Sequence, residues 1–131
     1  MFTSVNSRAA SAYKRVSADT GVSTADPHQL VGMLFDALIQ SLNAARGAME
    51  RGQTALKGEL IGKAAAIVGG LQGSLNDNEG GALAANLDSL YDYIIRRLTQ
   101  ANYENSIEQL DECSRLLSEI KSAWDAIGST I

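Results

Sequence analysis

The chain has almost nothing with which to brace itself covalently or to do covalent chemistry. Cys113 is the one cysteine in 131 residues, so no intrachain disulfide can form. It falls on an apolar helix face, where an inert buried thiol is expected rather than a nucleophile. His28 is the one histidine, and with a single buried thiol it builds no nucleophile–base pair. A bundle interior can hold two metals, but that needs inward glutamates and Glu-x-x-His pairs, and the chain has no such pair. No glycine loop has the form that cradles phosphate, so no enzyme chemistry, metal or cofactor is expected. Base is scarce: 11 Lys and Arg stand against 15 Asp and Glu, a net charge of −4. That argues against nucleic acid, which requires a basic face. No run approaches the roughly 18–20 apolar residues of a membrane span. The opening MFTSVNSRAASAY lacks the apolar centre of a signal peptide. A soluble, cytoplasmic protein is expected.

Alternating β-branched and aromatic runs are absent too, which leaves an all-α fold. The most organised stretch is 24–48. Asp26 is placed as an N-cap, and Pro27, the one proline, stands at the first helical position, where its missing N–H costs nothing. Leu30, Leu34, Leu38 and Leu42 mark one face beyond it. Val31, Phe35, Met33, Ala37 and Ile39 carry the apolar surface round the helix, well past the roughly 100° arc of an ordinary surface helix. Such a helix must be covered from more than one side.

This first helix is expected over 27–51, ending at Gly52. A second runs from 54 or 55 to 76 on the stripe Leu60, Ala64, Ile67, Leu71 and Leu75, flanked by Ile61 and Val68. It contains Gly58, Gly62, Gly69, Gly70 and Gly73, each costing up to about 1 kcal/mol relative to alanine. Either another backbone approaches closely or the helix is soft. A turn over 76–81 leads to a third helix from 81 or 82 to 102. Its main stripe is Leu83, Leu87, Leu90, Ile94 and Leu98, and its second is Ala84, Tyr91 and Ile95. Arg96 is expected to pair with Asp92, four residues earlier. Asn102 suits a helix end, and Asn105 or Ser106 can cap a fourth helix over 107–127 on Leu110, Cys113, Leu117, Ile120, Trp124 and Ile127, ending at Gly128. His28 is expected to support its helix start or to face solvent. Four such helices with short connections make an antiparallel up-down four-helix bundle over 26–131.

Residues 1–25 read differently. They are small and polar, with Tyr13 and Val16 three apart, and able to form only a short, marginal helix. They carry Arg8, Lys14 and Arg15 against Asp19, whereas 76–131 hold ten acids against four bases. A mobile basic arm, ordered only when it lies on an acidic body, is the expected arrangement. The surplus apolar surface of the first and third helices is the kind that binds another chain.

With the first and third helices read, the chain resembles the FliS family of flagellar secretion chaperones. TADPHQLVGMLFDALIQSL, residues 24–42, is similar to the family's T/S-A-S-P-x-x-L-x-x-M-L-[YF]-D-G. EGGALAANLDSLYDYIIRRLTQAN, residues 79–102, is similar to its GG-x-x-A-x-N-L-x-x-L-Y-x-Y block, and Ala12, Tyr13 and Val16 fit the arm. Asp26 replaces the usual serine, Ala37 stands where glycine is common, and 76–79 depart from the usual approach to Gly80. The resemblance implies a four-helix bundle that binds the disordered C-terminal segment of flagellin, stops it polymerising in the cytoplasm and delivers it to the flagellar export gate. It also implies an arm that lies on the bundle and yields to flagellin. The residues expected to meet the client or the arm are Leu30, Met33 and Ile39 of the first helix, Ile61 and Val68 of the second, and Ala84, Tyr91 and Ile95 of the third. Tyr13 and Val16 are the expected contacts of the arm. The alternative is a helical adaptor or regulator of another flagellar protein, such as an anti-sigma factor. Surplus apolar surface also admits a second copy, so a monomer or weak homodimer is expected.

Overall fold

The computed structural model of the chain describes residues 26–75 and 77–129. The expected arm, with Tyr13 and Val16, lies outside the described residues. Four helices follow one another: α1 Pro27–Glu50, α2 Thr54–Gly73, α3 Asp77–Glu104 and α4 Ile107–Ser129. α1 starts on a full capping box. The Asp26 carboxylate accepts from the Gln29 backbone N–H at 2.8 Å, and Gln29 Oε1 accepts from the Asp26 N–H at 3.3 Å. It ends in a reverse turn at Gly52, φ +70°, where Gln53 N–H donates to Ala48 O at 2.9 Å and Gly52 N–H to Met49 O at 3.3 Å.

α2 stops at Gly73, three residues short of the expected end, and Ser74 turns its hydroxyl back to Leu71 O at 2.8 Å. The expected turn before α3 is partly helical. Helix resumes at Asp77 and breaks at Gly81, whose φ of 55° and ψ of −129° suit only a residue without a Cβ. α3 runs two residues past Asn102. Asn105 closes it in the left-handed conformation, φ 55°, with Ser106 N–H donating to Ala101 O at 3.0 Å. Ser106 Oγ then caps α4 by accepting from Gln109 N–H at 3.2 Å.

Each helix packs on its neighbours in the order α1–α2–α3–α4–α1, and no Cα atoms of the diagonal pairs come within 8 Å among the described residues. The cross-links show the antiparallel sense. The start of α1 meets the end of α4, where Trp124 Nε1–H donates to His28 O at 3.0 Å and the two rings stack 4.4 Å apart. The end of α1 meets the start of α4 through Arg46 and Asp111 at 2.9 Å, with Lys121 and Asp36 at 3.6 Å between. α2 and α3 are tied by Lys57 at one end and by Gln72 to Asp88 and Asp92 at the other. α3 and α4 share Glu112, which accepts from Tyr93 and Arg97. The interior is aliphatic, with Phe35 and Tyr91 the largest side chains among Leu34, Leu38, Leu42, Ile67, Ile94, Leu98, Leu110 and Leu117.

Three local expectations change. The core of α3 is Ala84, Tyr91, Ile94, Leu98 and Ala101, a seven-residue repeat. Leu83, expected at the head of the main stripe, is 65% exposed because it precedes that seam by one position. Asp92 accepts from Gln72 Nε2 at 2.7 Å rather than pairing with Arg96, and Arg96 is exposed. The α2 glycines are not close-approach sites where their surroundings are described. A Cβ would meet nothing within 4 Å at Gly62 or Gly69, and only Asn102 Nδ2 at 3.9 Å at Gly58. Of the two expectations for His28, support of the helix start is the one that agrees with the structure. It stacks on Trp124, and a Cβ on Gly128 would strike its ring.

Two measurements follow from this packing. Gly62→Ala gains helix propensity in open space, so it should stabilise the fold by up to about 1 kcal/mol and raise Tm by about 2–4 °C. Thermal unfolding followed by circular dichroism reads this, and a lowered Tm would restore the close-approach explanation. Arg97 first, then Tyr93, hold the Glu112 carboxyl below its usual range. A group whose folded pKa is depressed stabilises above its unfolded pKa, about 4.3, and loses that contribution as pH falls through the folded value. The stability deficit of Glu112→Gln should therefore be constant from pH 8 to about 5 and shrink below about pH 4. Urea unfolding across this range tests it, and a deficit that persists at low pH contradicts it.

Candidate partner-binding surface

The residues with reactive side chains are spent on structure. Cys113 is fully buried, and burial first, with the nearby Glu112 charge, pushes its thiol up to about 12. Its S–H points at Ile94 O, 3.8 Å away. Burial likewise pushes the Tyr91 phenol up to about 12. Neither group ionises near neutral pH. His28 is held between Trp124 and Gly128. Among the described residues no three His, Cys, Asp or Glu side chains are grouped to hold a metal ion. No helix there is long and apolar enough to cross a membrane. What the arrangement offers is surface.

The candidate contact residues divide into two sets. Leu30, Met33, Ile39 and Ile95 are half-buried, and Met33 and Ile95 pack against the core from outside. Ile95 also lies on the floor of a shallow depression with Ser89, Asp92 and Arg96, one face of α3. Ile61, Val68, Ala84 and Tyr91 are buried at 4% exposure or less. Ile61, Val68 and Tyr91 belong to the central apolar cluster, so a partner can meet them only by displacing a neighbour. The half-buried set lies on α1 and α3 and the buried set on α2 and α3, so only α3 contributes to both depths.

Sequence reasoning passed over two exposed apolar positions and misplaced two others. Leu83 and Ile127 had been assigned to core stripes, yet both are exposed. They share the end of the bundle where α1 begins and α4 ends. Leu56 and Tyr103 share the opposite end, and Tyr103 is 90% exposed. The available signal was phase. Tyr103 falls two residues after Ala101, off the Leu98–Ala101 seam, and Leu56 precedes Ile61 by five.

Lys57 was also missed. It is buried to 5% exposure with no carboxylate paired to it among the described residues, and its ammonium donates to Asn102 O and Asn105 Oδ1, both at 3.0 Å. A cation at a helix C-terminus is favoured by the free carbonyls there, which accounts for a lysine buried at this position. Nothing in its sequence context separates it from a surface lysine.

Residues 9–130 match the family model described as Flagellar protein FliS. Flagellar secretion chaperone FliSB of Pseudomonas aeruginosa is 51% identical over 115 residues, covering 88% of this chain and 91% of the relative. Flagellar secretion chaperone FliS of Vibrio cholerae is 44% identical over 116 residues, 88% of this chain and 85% of the relative. The FliS of Bacillus subtilis is 34% identical over 103 residues, 79% of this chain and 76% of its own length. Similarity at this level, along nearly the whole bundle and into the segment before it, places the chain in the FliS family of flagellar proteins.

Proposed function

We propose that this chain is a cytoplasmic flagellar secretion chaperone whose client is the C-terminal segment of flagellin, held until delivery to the flagellar export gate. The observation that carries the reading is the family match, which runs from residue 9 to residue 130 and so includes Tyr13 and Val16 as well as the bundle. Relatives named flagellar secretion chaperones support it. The chain works by covering surface and not by catalysis, in keeping with a buried Cys113 and a sequestered His28.

The proposed mechanism is exchange of cover. An amphipathic client segment needs its apolar face shielded. The half-buried Leu30, Met33, Ile39 and Ile95 are the first surface available, and Ile61, Val68, Ala84 and Tyr91 form the layer beneath. The arm, through Tyr13 and Val16, covers part of this surface until the client replaces it. Exchange lowers net affinity, since part of the gain substitutes for an existing contact. Ordering an unfolded client lowers it further. Both effects favour release at the gate.

Titration with a peptide of flagellin's C-terminal segment tests the reading directly, and saturable binding is expected. A pulldown with flagellin lacking that segment should fail. If that pair still forms, or if an anti-sigma factor binds and the peptide does not, the client assignment falls. Tyr13→Ala should change peptide affinity while moving Tm by no more than about 1–2 °C, as a surface substitution does. A large loss of thermal stability with unchanged affinity would overturn the role given to the arm.

A further inference from the structure

The turn between α3 and α4 is tied more heavily than its length requires. Lys57 reaches into it from α2 to bond Asn102 O and Asn105 Oδ1. Glu104 accepts from Gln100 Nε2 at 2.6 Å and from Gln109 Nε2 at 3.4 Å. Ser106 closes α3 with its N–H and caps α4 with its hydroxyl. Beside this braced turn, in the last helical turn of α3, stands Tyr103, 90% exposed and without a hydrogen-bond partner among the described residues. Leu56, next in sequence to Lys57, puts a second exposed apolar side chain at the same end of the bundle.

The surroundings are acidic. Glu104 and Glu108 are exposed, and Gln109 Oε1 is a buried acceptor with no donor. The basic groups nearby are committed: Lys57 is buried, Arg46 is shared by Glu50 and Asp111, and Arg51 donates to Gln53. An aromatic on braced backbone has only its own two side-chain torsions to lose when it is covered, and such residues are enriched at protein interfaces.

We propose that the Tyr103 turn is a docking surface for a protein segment that is both basic and apolar. An arginine of that segment stacks on the Tyr103 ring and faces the Glu104 and Glu108 carboxylates, while an apolar neighbour meets Leu56. A second copy of this chain does not fit, since pairing the surface with itself sets acid against acid. The surface is also remote from the end where residues 1–25 join α1. The 24 residues of α1 separate the two by about 36 Å at 1.5 Å per residue. A partner at Tyr103 therefore leaves the start of α1, with Leu30 and Met33, uncovered.

The test uses the full chain and a 14-residue peptide of leucine and arginine with the leucines on one helical face. A glutamate-for-arginine peptide serves as the charge control. Backbone amide NMR should show saturable shifts concentrated at 54–58 and 102–109 with the arginine peptide and none with the control. Tyr103→Ala should weaken binding about tenfold, a typical cost for removing an interface aromatic, while Tyr103→Phe keeps the ring and most of the affinity. Glu108→Lys should weaken it several-fold, and raising salt from 50 to 300 mM should do the same to the unaltered chain. The proposal fails if the arginine peptide does not bind, if Tyr103→Ala binds it equally well, or if the shifts lie elsewhere. It also fails if the flagellin C-terminal peptide shifts these same residues, since the turn would then belong to the client site. A flagellin peptide that binds elsewhere, or not at all, bears only on the client assignment.

Discussion

The whole bundle answers one constraint, the removal of α1's apolar girth from water. Leu34, Phe35, Leu38, Leu42, Ala45, Ala48 and Met49 are all buried to 5% exposure or less. Positions 35, 42 and 49 repeat at seven, as do 34, 41 and 48, and 38 and 45, so the buried surface is several adjacent seams rather than one stripe. Fully burying a leucine or phenylalanine is worth roughly 1.5–3 kcal/mol, so leaving one seam bare would cost a large share of a typical domain's stability. Two helices must therefore flank α1. α2 and α4 do so, and α3 then closes the square against both, diagonal to α1. The capping box at Asp26 and the glycine turn at Gly52 define where this organising helix begins and ends.

Polar ties then distinguish the seams. The α1/α4 seam carries the His28–Trp124 stack and two ion pairs, α3/α4 carries Glu112, and α2/α3 carries Lys57 and Gln72. Among the described residues no side-chain hydrogen bond or ion pair joins α1 to α2. That pair is held by apolar packing alone, which is strong but non-directional. α2 also starts without a side-chain N-cap bond, and it contains Gly58, Gly62, Gly69, Gly70 and Gly73. The cross-tied helices supply register and direction. The glycine-rich one supplies buried surface with less stiffness of its own.

The helices themselves were legible because their signals are local. Pro27 after Asp26, glycine at 52 and apolar residues at steps of three and four are read within one or two turns. What escaped depends on partners distant in sequence. Whether Leu83 or Ala84 heads the α3 seam is decided by the rotation of α3 against α4, and two stripes one residue apart look alike until the neighbour is placed. Asp92 lies four residues before Arg96, but Gln72 of α2 takes its carboxylate. Lys57 reads as a surface charge until Asn102 and Asn105 are brought to it from another helix. Gly81 was read as one end of a loose turn, and its positive φ shows it to be a single sharp corner inside a longer helical run. The surface candidates suffered most. Apolar type alone does not separate a second core layer, such as Ile61 and Val68, from an outer one, such as Met33 and Ile95.

That difference in depth bears on how a helical chaperone of this family would hold a client. If Ile61, Val68 and Tyr91 were bare they would bind any apolar chain, the free protein's own copies included. Buried, they are inaccessible, and the half-buried residues above them offer only moderate area. A surface of this kind favours a ligand long enough to gather many small contributions along several helices over a short one seated in a single pocket. The ties at His28–Trp124, Glu112 and Lys57 are made by residues other than Leu30, Met33, Ile39 and Ile95. The proposed exchange of arm for client can then proceed on a frame whose register is held by other residues.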